Sequence, residues 1–288
     1  MKVKFWGVRG SVPTPWKDAM MIGGNTSCVQ VIPNSQQLII LDAGTGLRLL
    51  GDQLQEQNSG PIKGHILLSH THWDHIQGFP FFIPAYRPGN HFTIYGANWA
   101  QKNLRNILSA QMRAPYFPVE LTQMGAQLDF MELEEETIEI EDLRITTRSF
   151  NHPGGVYGFR IEQEGQVLVF ATDMEYTEDT LDQRLIDFAQ DADMLIYDAQ
   201  YTPAEHTLKA GWGHSTHIAA AHLARLAQVR SLLLFHHDPS HSDQKLAQME
   251  AEARQIFPAS YLASEGLILD LAQITAHSPG HGSGHDAG

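Results

Sequence analysis

Long apolar runs are missing from this sequence. The longest, such as residues 38–41 and 232–235, fall far short of the ~20 residues that cross a bilayer, so no membrane-spanning helix is expected. Cysteine is nearly absent as well. Cys28 stands alone, which excludes an intramolecular disulfide and any cysteine-rich metal cage. Its setting, Thr26-Ser27-Cys28-Val29-Gln30-Val31, reads as a buried strand thiol. Positive charge is scarce. Lys and Arg number 19 against 33 Asp and Glu, a formal net charge of −14, and no basic run forms the patch that displaces counterions from phosphates. DNA is therefore excluded as a partner and tRNA is set aside. The opening residues 1–7 alternate like a strand and lack the apolar stretch and cleavage site of a signal peptide. A soluble, cytoplasmic protein without a membrane partner is the expectation.

What is present is an ordinary globular composition, 42% apolar and 18% charged over 288 residues, enough to bury a sizeable core. Short β-rich segments recur at residues 3–6, 28–32, 38–41, 65–68, 92–95, 143–149, 156–161, 167–171, 194–197, 232–235 and 267–271. Helical patterns at 98–111, 180–189, 217–227 and 243–255 interrupt them, the third opened by Thr216 as N-cap. No linker divides the chain, and the order predicts an α/β sandwich of two mixed sheets with helices outside, over residues 1–272. Residues 80–130 break the rhythm with prolines and aromatics and are expected to form an inserted lid or substrate wall. Glu132 to Glu141 is acidic and reads as a solvated turn and strand edge. Residues 273–288, with His277, His281 and His285, are expected to form a flexible His/Gly-rich tail.

Sixteen histidines are the most informative feature. Ser69-His70-Thr71-His72-Trp73-Asp74-His75 follows the apolar run Ile66-Leu67-Leu68, so a strand ends where four candidate ligands begin. In extended backbone, residues two apart project to the same side, so His70 and His72 converge on one ion while the following turn offers Asp74 and His75 to another. Imidazole and carboxylate suit zinc, and also manganese or iron. One short loop cannot surround two ions, so further ligands must come from other strand ends. His152, Asp173 and His236 each follow a β-rich segment.

This pattern, His-x-His-x-Asp-His with a later His, Asp and His in that order, resembles the metallo-β-lactamase superfamily across roughly residues 1–270. The resemblance implies the αββα metallo-β-lactamase fold and two divalent metal ions. It implies His70, His72 and His152 on one metal, Asp74, His75 and His236 on the other, and Asp173 between them. His236 is preferred over the adjacent His237, and Asp42 matches an aspartate that braces the metal loop.

Asp198-Ala199-Gln200-Tyr201 followed by Gly213-His214-Ser215-Thr216 resembles the ribonuclease Z and cyclic phosphodiesterase branch, which implies a phosphoric diester hydrolase. By that resemblance Asp198 orients His214, and Asp74, His214 and Asp198 form the catalytic set around a metal-bridging hydroxide. Residues 5–13 and 23–28 resemble a bacterial subgroup placed with phosphoribosyl cyclic phosphate and cyclic nucleotide phosphodiesterases. Arg9 then either contacts the substrate anion or pairs with an acid, and His217 either reaches the site or caps its helix.

The expected substrate is a small cyclic phosphodiester, with 3′,5′-cyclic nucleotides favoured and Tyr116 and Phe117 stacking on the base. Alternatives are a phosphoribosyl cyclic phosphate phosphodiesterase or a tRNA 3′-processing endonuclease. Iron-dependent thiol oxidation and a non-catalytic ligand sensor are kept as further readings on the same fold. The branch implies a homodimer.

Overall fold

The computed structural model describes residues 1–57, 59–97, 103–175 and 182–274. In chain order the strands are β1 (Lys2–Gly7), β2 (Cys28–Ile32), β3 (Leu38–Leu41), β4 (Lys63–Leu67), β5 (His91–Gly96), β6 (Gln127–Glu132), β7 (Thr137–Ile140), β8 (Leu143–Phe150), β9 (Val156–Gln163), β10 (Gln166–Ala171), β11 (Met194–Asp198), β12 (Leu232–Phe235), β13 (Ser260–Leu262) and β14 (Ile268–Asp270). The α-helices are α1 (Gly46–Gln57), α2 (Trp73–Ile76), α3 (Leu104–Gln111), α4 (Gln183–Ala189), α5 (Pro203–Leu208), α6 (His217–Leu226) and α7 (Asp243–Ile256).

Two seven-stranded sheets result, ordered β14-β1-β2-β3-β4-β5-β6 and β13-β12-β11-β10-β9-β8-β7. Their facing surfaces enclose an inner core that includes Val3, Phe5, Leu41, Phe159, Phe170 and Phe235. Leu47 and Leu50 of α1 and Leu104 and Leu108 of α3 pack on the outer face of the first sheet. Leu185 of α4, Leu223 of α6 and Ala253 of α7 cover the second. The αββα sandwich expected from the sequence is the fold observed.

Strands covered on both faces read as unbroken apolar runs. Every residue of β3, β11 and β12 is buried. Within each sheet, one half is parallel: β3 through β6 in the first and β10 through β13 in the second. The carboxyl ends of parallel strands share one edge, where α/β proteins place their ligands. That edge gathers the loops after β3, β4, β10, β11 and β12.

Two expectations need correction. Residues 80–130 are not an insertion as a whole, because β5 and the first four residues of β6 lie within them and extend the first sheet through the register Ile94↔Phe130. Residues 80–90 and the described part of the connection between those strands, 103–126, stand apart from the sheet, and in that connection Gln111 Nε2 donates to the Ile76 carbonyl at 3.1 Å, tying α3 to the loop of candidate ligands. The helix expected at 98–111 begins at Leu104, with the Asn103 side chain accepting from the Asn106 amide, while 98–102 lie outside the described residues. Helix α1 was not anticipated. It opens on Gly46 and contains Gly51, both poor helix formers, and it holds through the buried face of Leu47, Leu50 and Leu54. The expected tail lies outside the described residues from 275 onward.

Candidate metal centre

Each candidate ligand leaves the sheet edge at a strand end. Asp42, immediately after β3, adopts φ 61°, a conformation few side chains tolerate, and turns its carboxylate inward. It accepts from the Ser69 amide at 2.8 Å, the Ser27 hydroxyl at 2.8 Å and His75 Nδ1 at 2.7 Å. That last bond fixes the His75 tautomer and aims its Nε2 at the cluster. Asp173 after β10 and His236 after β12 share the same left-handed backbone, at φ 57° and 60°.

Two groups of donors face each other. His70, His72 and His152 form the first, with ring centres 4.5 to 4.8 Å apart and His152 Nε2 3.0 Å from His72 Nδ1. Asp74, His75 and His236 form the second: His75 Nε2 lies 3.3 Å and His236 Nε2 3.1 Å from Asp74 Oδ2. Asp173 stands between them. Its Oδ1 is 3.8 Å from His70 Nε2 and 3.9 Å from His152 Nε2, while its Oδ2 is 3.2 Å from His75 Nε2 and 3.3 Å from His236 Nε2.

These residues fit bound cations. Four donors held about 2.0–2.1 Å from a tetrahedral ion sit roughly 3.3 Å from one another, which is the spacing seen here. The outer nitrogens are already engaged: His75 Nδ1 with Asp42, His152 Nδ1 with the Gly213 carbonyl at 2.8 Å, and His236 Nδ1 with Gln200 Oε1 at 2.8 Å. Their Nε2 atoms therefore carry lone pairs, and His75 Nε2 lies only 3.1 Å from His236 Nε2. Among the described residues, buried His70 Nε2 has no hydrogen-bond partner. Converging lone pairs and an orphaned buried nitrogen are what a cation resolves. Burial, then the neighbouring His75, holds the His70 pKa well below its ordinary value. For His75 burial acts against charge, but Asp173, Asp74 and Asp42 outweigh it and raise the pKa well above.

Beside this cluster lies a second pair. Asp198, ending β11, accepts from His214 Nδ1 at 2.9 Å, and its other oxygen accepts from the amides of Ser215 at 3.0 Å and Gln200 at 3.1 Å. The His214 ring stands edge-on to Tyr201 at 5.5 Å. Burial disfavours a charged His214, yet Asp198, Asp173 and Asp74 together bring its pKa to about 9. Asp173, Asp198, His214 and His236 also make a compact group of donors, but His214 Nδ1 is committed to Asp198.

Several expected residues are elsewhere. Arg9 does not reach a substrate: it is fully buried, donating to the carbonyls of Gly23 at 2.8 Å, His241 at 2.8 Å and Asp238 at 3.2 Å, with Asp243 3.8 Å away. Of the two roles open to it, the structural one is realised, because a guanidinium supplies enough donors to tie three separate segments together. His217 likewise turns from the cluster, with Nε2 2.9 Å from Glu252. His237 Nε2 engages the Ala263 carbonyl at 3.0 Å, so His236 alone of that pair faces the donors. Phe117 packs on the outer core and edge-on to Phe81 at 5.5 Å. Tyr116 is 75% exposed, and no hydrogen bond or ring contact joins it to the cluster among the described residues.

Sequence reasoning missed three supports. The Ser11 amide donates to Asp74 Oδ2 at 2.7 Å, Gln200 holds His236, and the Gly213 carbonyl holds His152. Glycine at 213 is required by φ 92° and because a Cβ would lie 2.2 Å from His152 Nδ1. The Ser11 amide and the Gly213 carbonyl are backbone groups with no residue signature, the second hinted at only by the glycines of Gly211-Trp212-Gly213, and the Gln200 side chain reaches His236 only through the fold.

Residues 37–237 match the family described as the Beta-lactamase superfamily domain, and the chain belongs to it. It is a hydrolase of the metallo-β-lactamase fold. Ribonuclease Z of Pediococcus pentosaceus is 23% identical over 322 aligned positions, covering 94% of this chain and 99% of the relative. That alignment is longer than the chain, so the relative carries segments without a counterpart here. The human tRNase Z, short form, superposes with a TM-score of 0.64 at 19% identity, covering 94% of this chain and 99% of that one. A metallo-beta-lactamase fold protein of Bacillus subtilis superposes with a TM-score of 0.67 at 19% identity, over 93% and 98%.

These relatives correct the expected partner. Setting tRNA aside in favour of a small cyclic phosphate rested on the lack of the Gly-rich basic arm that the resemblance to ribonuclease Z would imply, with the net charge of −14 pointing the same way. Full-length relatives are nonetheless named ribonuclease Z. Net charge averages the whole surface and does not fix the field at one cleft. Among the described residues, no helix is long and apolar enough to cross a membrane.

Proposed function

We propose that this chain is a metal-dependent phosphodiester hydrolase acting on RNA, with the 3′ extension of a precursor tRNA as substrate. The observation that carries the chemistry is Asp173 set between two groups of donors, all of them buried except His72, with the Asp198–His214 pair alongside. Similarity over the full length of enzymes named ribonuclease Z supports RNA as substrate.

In this reading His70, His72 and His152 hold one divalent ion, Asp74, His75 and His236 hold a second, and Asp173 serves both. Imidazole-rich donor sets favour zinc. Bound there, such ions lower the pKa of water toward neutrality and offset charge on phosphoryl oxygens. The protein's own part is proton delivery. As the bond from phosphorus to the leaving oxygen breaks and the bond to water oxygen forms, His214 Nε2 gives its proton to the departing oxygen. Asp198 holds the ring in place and favours its charged form.

The test is incubation of metal-replete protein with a precursor tRNA bearing a 3′ extension. Endonucleolytic release of the extension, lost in Asp173→Ala, is expected. Intact RNA after incubation with protein carrying two metal ions per chain would overturn the reading.

A further inference from the structure

Two tryptophans that the mechanism leaves unused flank the first donor group. Trp73 sits between His72 and Asp74 and is 72% exposed, and Trp212 sits beside Gly213 and is 63% exposed. The connection between them is short and rigid. His72 Nδ1 lies 3.0 Å from His152 Nε2, and His152 Nδ1 lies 2.8 Å from the Gly213 carbonyl. One exposed indole is thus bonded in sequence to each end of a His72–His152–Gly213 line that crosses the candidate metal position.

Single exposed apolar residues are common and call for no explanation, but a pair placed on one site is different. Both backbones are fixed. Trp73 begins α2, where Asp74, His75 and Ile76 are all buried, and Gly213 packs against His152 too closely to admit a Cβ. Lys209 Nζ lies 5.9 Å from the Trp212 ring, but its charge is engaged by Asp238 at 3.0 Å and by the Tyr201 ring at 4.3 Å, so the indoles themselves are what the loops offer.

We propose that Trp73 and Trp212 form a stacking platform for nucleobases next to the phosphodiester that is cleaved. Indole faces stack on any base, so the platform positions single-stranded nucleotides without selecting a sequence. The role assigned from the sequence to Tyr116 and Phe117 passes to residues on the ligand-bearing loops themselves. The inference rests on the RNA reading above.

The test pairs each tryptophan with the base it is meant to hold. Metal-replete protein is assayed on a 3′-extended RNA and on the same RNA with abasic riboses flanking the cleaved bond. Removing each stacked base should lower kcat/KM by about 5- to 150-fold, the scale of ~1 to 3 kcal/mol per base. Trp73→Ala and Trp212→Ala should lose as much on intact RNA with unchanged metal content, lose little more on the abasic RNA, and recover in Trp73→Phe and Trp212→Phe. Independent, multiplying losses, or variants equal to wild type, would overturn the platform. So would equal losses on both RNAs accompanied by a halved sedimenting mass, which would assign the indoles to contact between copies. Tryptophan fluorescence titrated with adenosine 5′-monophosphate separates this idea from the RNA reading. Quenching by the nucleotide but not by ribose 5-phosphate, weakened in each variant, supports the platform even if no RNA is cleaved. Absence of quenching overturns it.

Discussion

The His214 ring stacks on the His236 ring with centres 5.0 Å apart and planes inclined by 24°. One imidazole faces the donor cluster and the other is held by the buried Asp198, so a ring whose pKa is raised to about 9 lies against the candidate metal position. Replacing His214 therefore separates catalysis from metal binding. His214→Ala should retain its metal while turnover falls by roughly 10²- to 10⁴-fold, the usual scale for a positioned acid. Asp198→Asn should move in the same direction. Metal analysis beside single-turnover rates checks both, and loss of metal from His214→Ala would make that residue a ligand.

Asp42 acts one layer further out. It accepts from both Ser69 and His75, so Asp42→Ala frees the loop and the tautomer of a candidate ligand at once. Metal affinity should weaken by about 10- to 100-fold, as for other groups that orient a metal-bound histidine. Competition with a chromogenic chelator measures it, and unchanged affinity would contradict the role given to His75.

Arg9 should matter for stability. Arg9→Met leaves the buried carbonyls of Gly23, Asp238 and His241 without their donor, a loss on the order of 3 kcal/mol. Urea unfolding should show a lower midpoint with an unchanged slope. A midpoint equal to wild type would return Arg9 to the list of substrate contacts.

Cys28 is fully buried, and burial followed by the nearby Asp42 charge pushes its thiol pKa well above the usual value. The thiolate is the reactive form, so the native protein should resist a thiol-specific chromogenic reagent at neutral pH. One thiol per chain should react after unfolding in guanidinium. Rapid labelling of the native protein would contradict the buried-strand reading.

Much of this molecule is written in its sequence because the relevant signals are local. Apolar runs such as Leu38-Ile39-Ile40-Leu41 and Leu232-Leu233-Leu234-Phe235 mark strands buried on both faces, and the ligand candidates begin where such runs stop. The cap at Thr216 is local too, its side chain accepting from the Ala219 amide. Other features depend on distant partners. Helix α1 is held by burial against propensity, and β6, unlike β5, was not announced by its own residues and joins the first sheet because β5 offers it a ladder. Arg9 could be assigned only once chain folding brought Asp238 and His241 to it from more than 220 positions away. The choice of His236 over His237 was a matter of which way one turn faced, set by the φ of 60° at His236. Residue types and their order determined the fold and named the candidate donors. Only the tertiary structure decided which of them share a centre, because side-chain direction at a strand end is fixed by the backbone that distant hydrogen bonds impose.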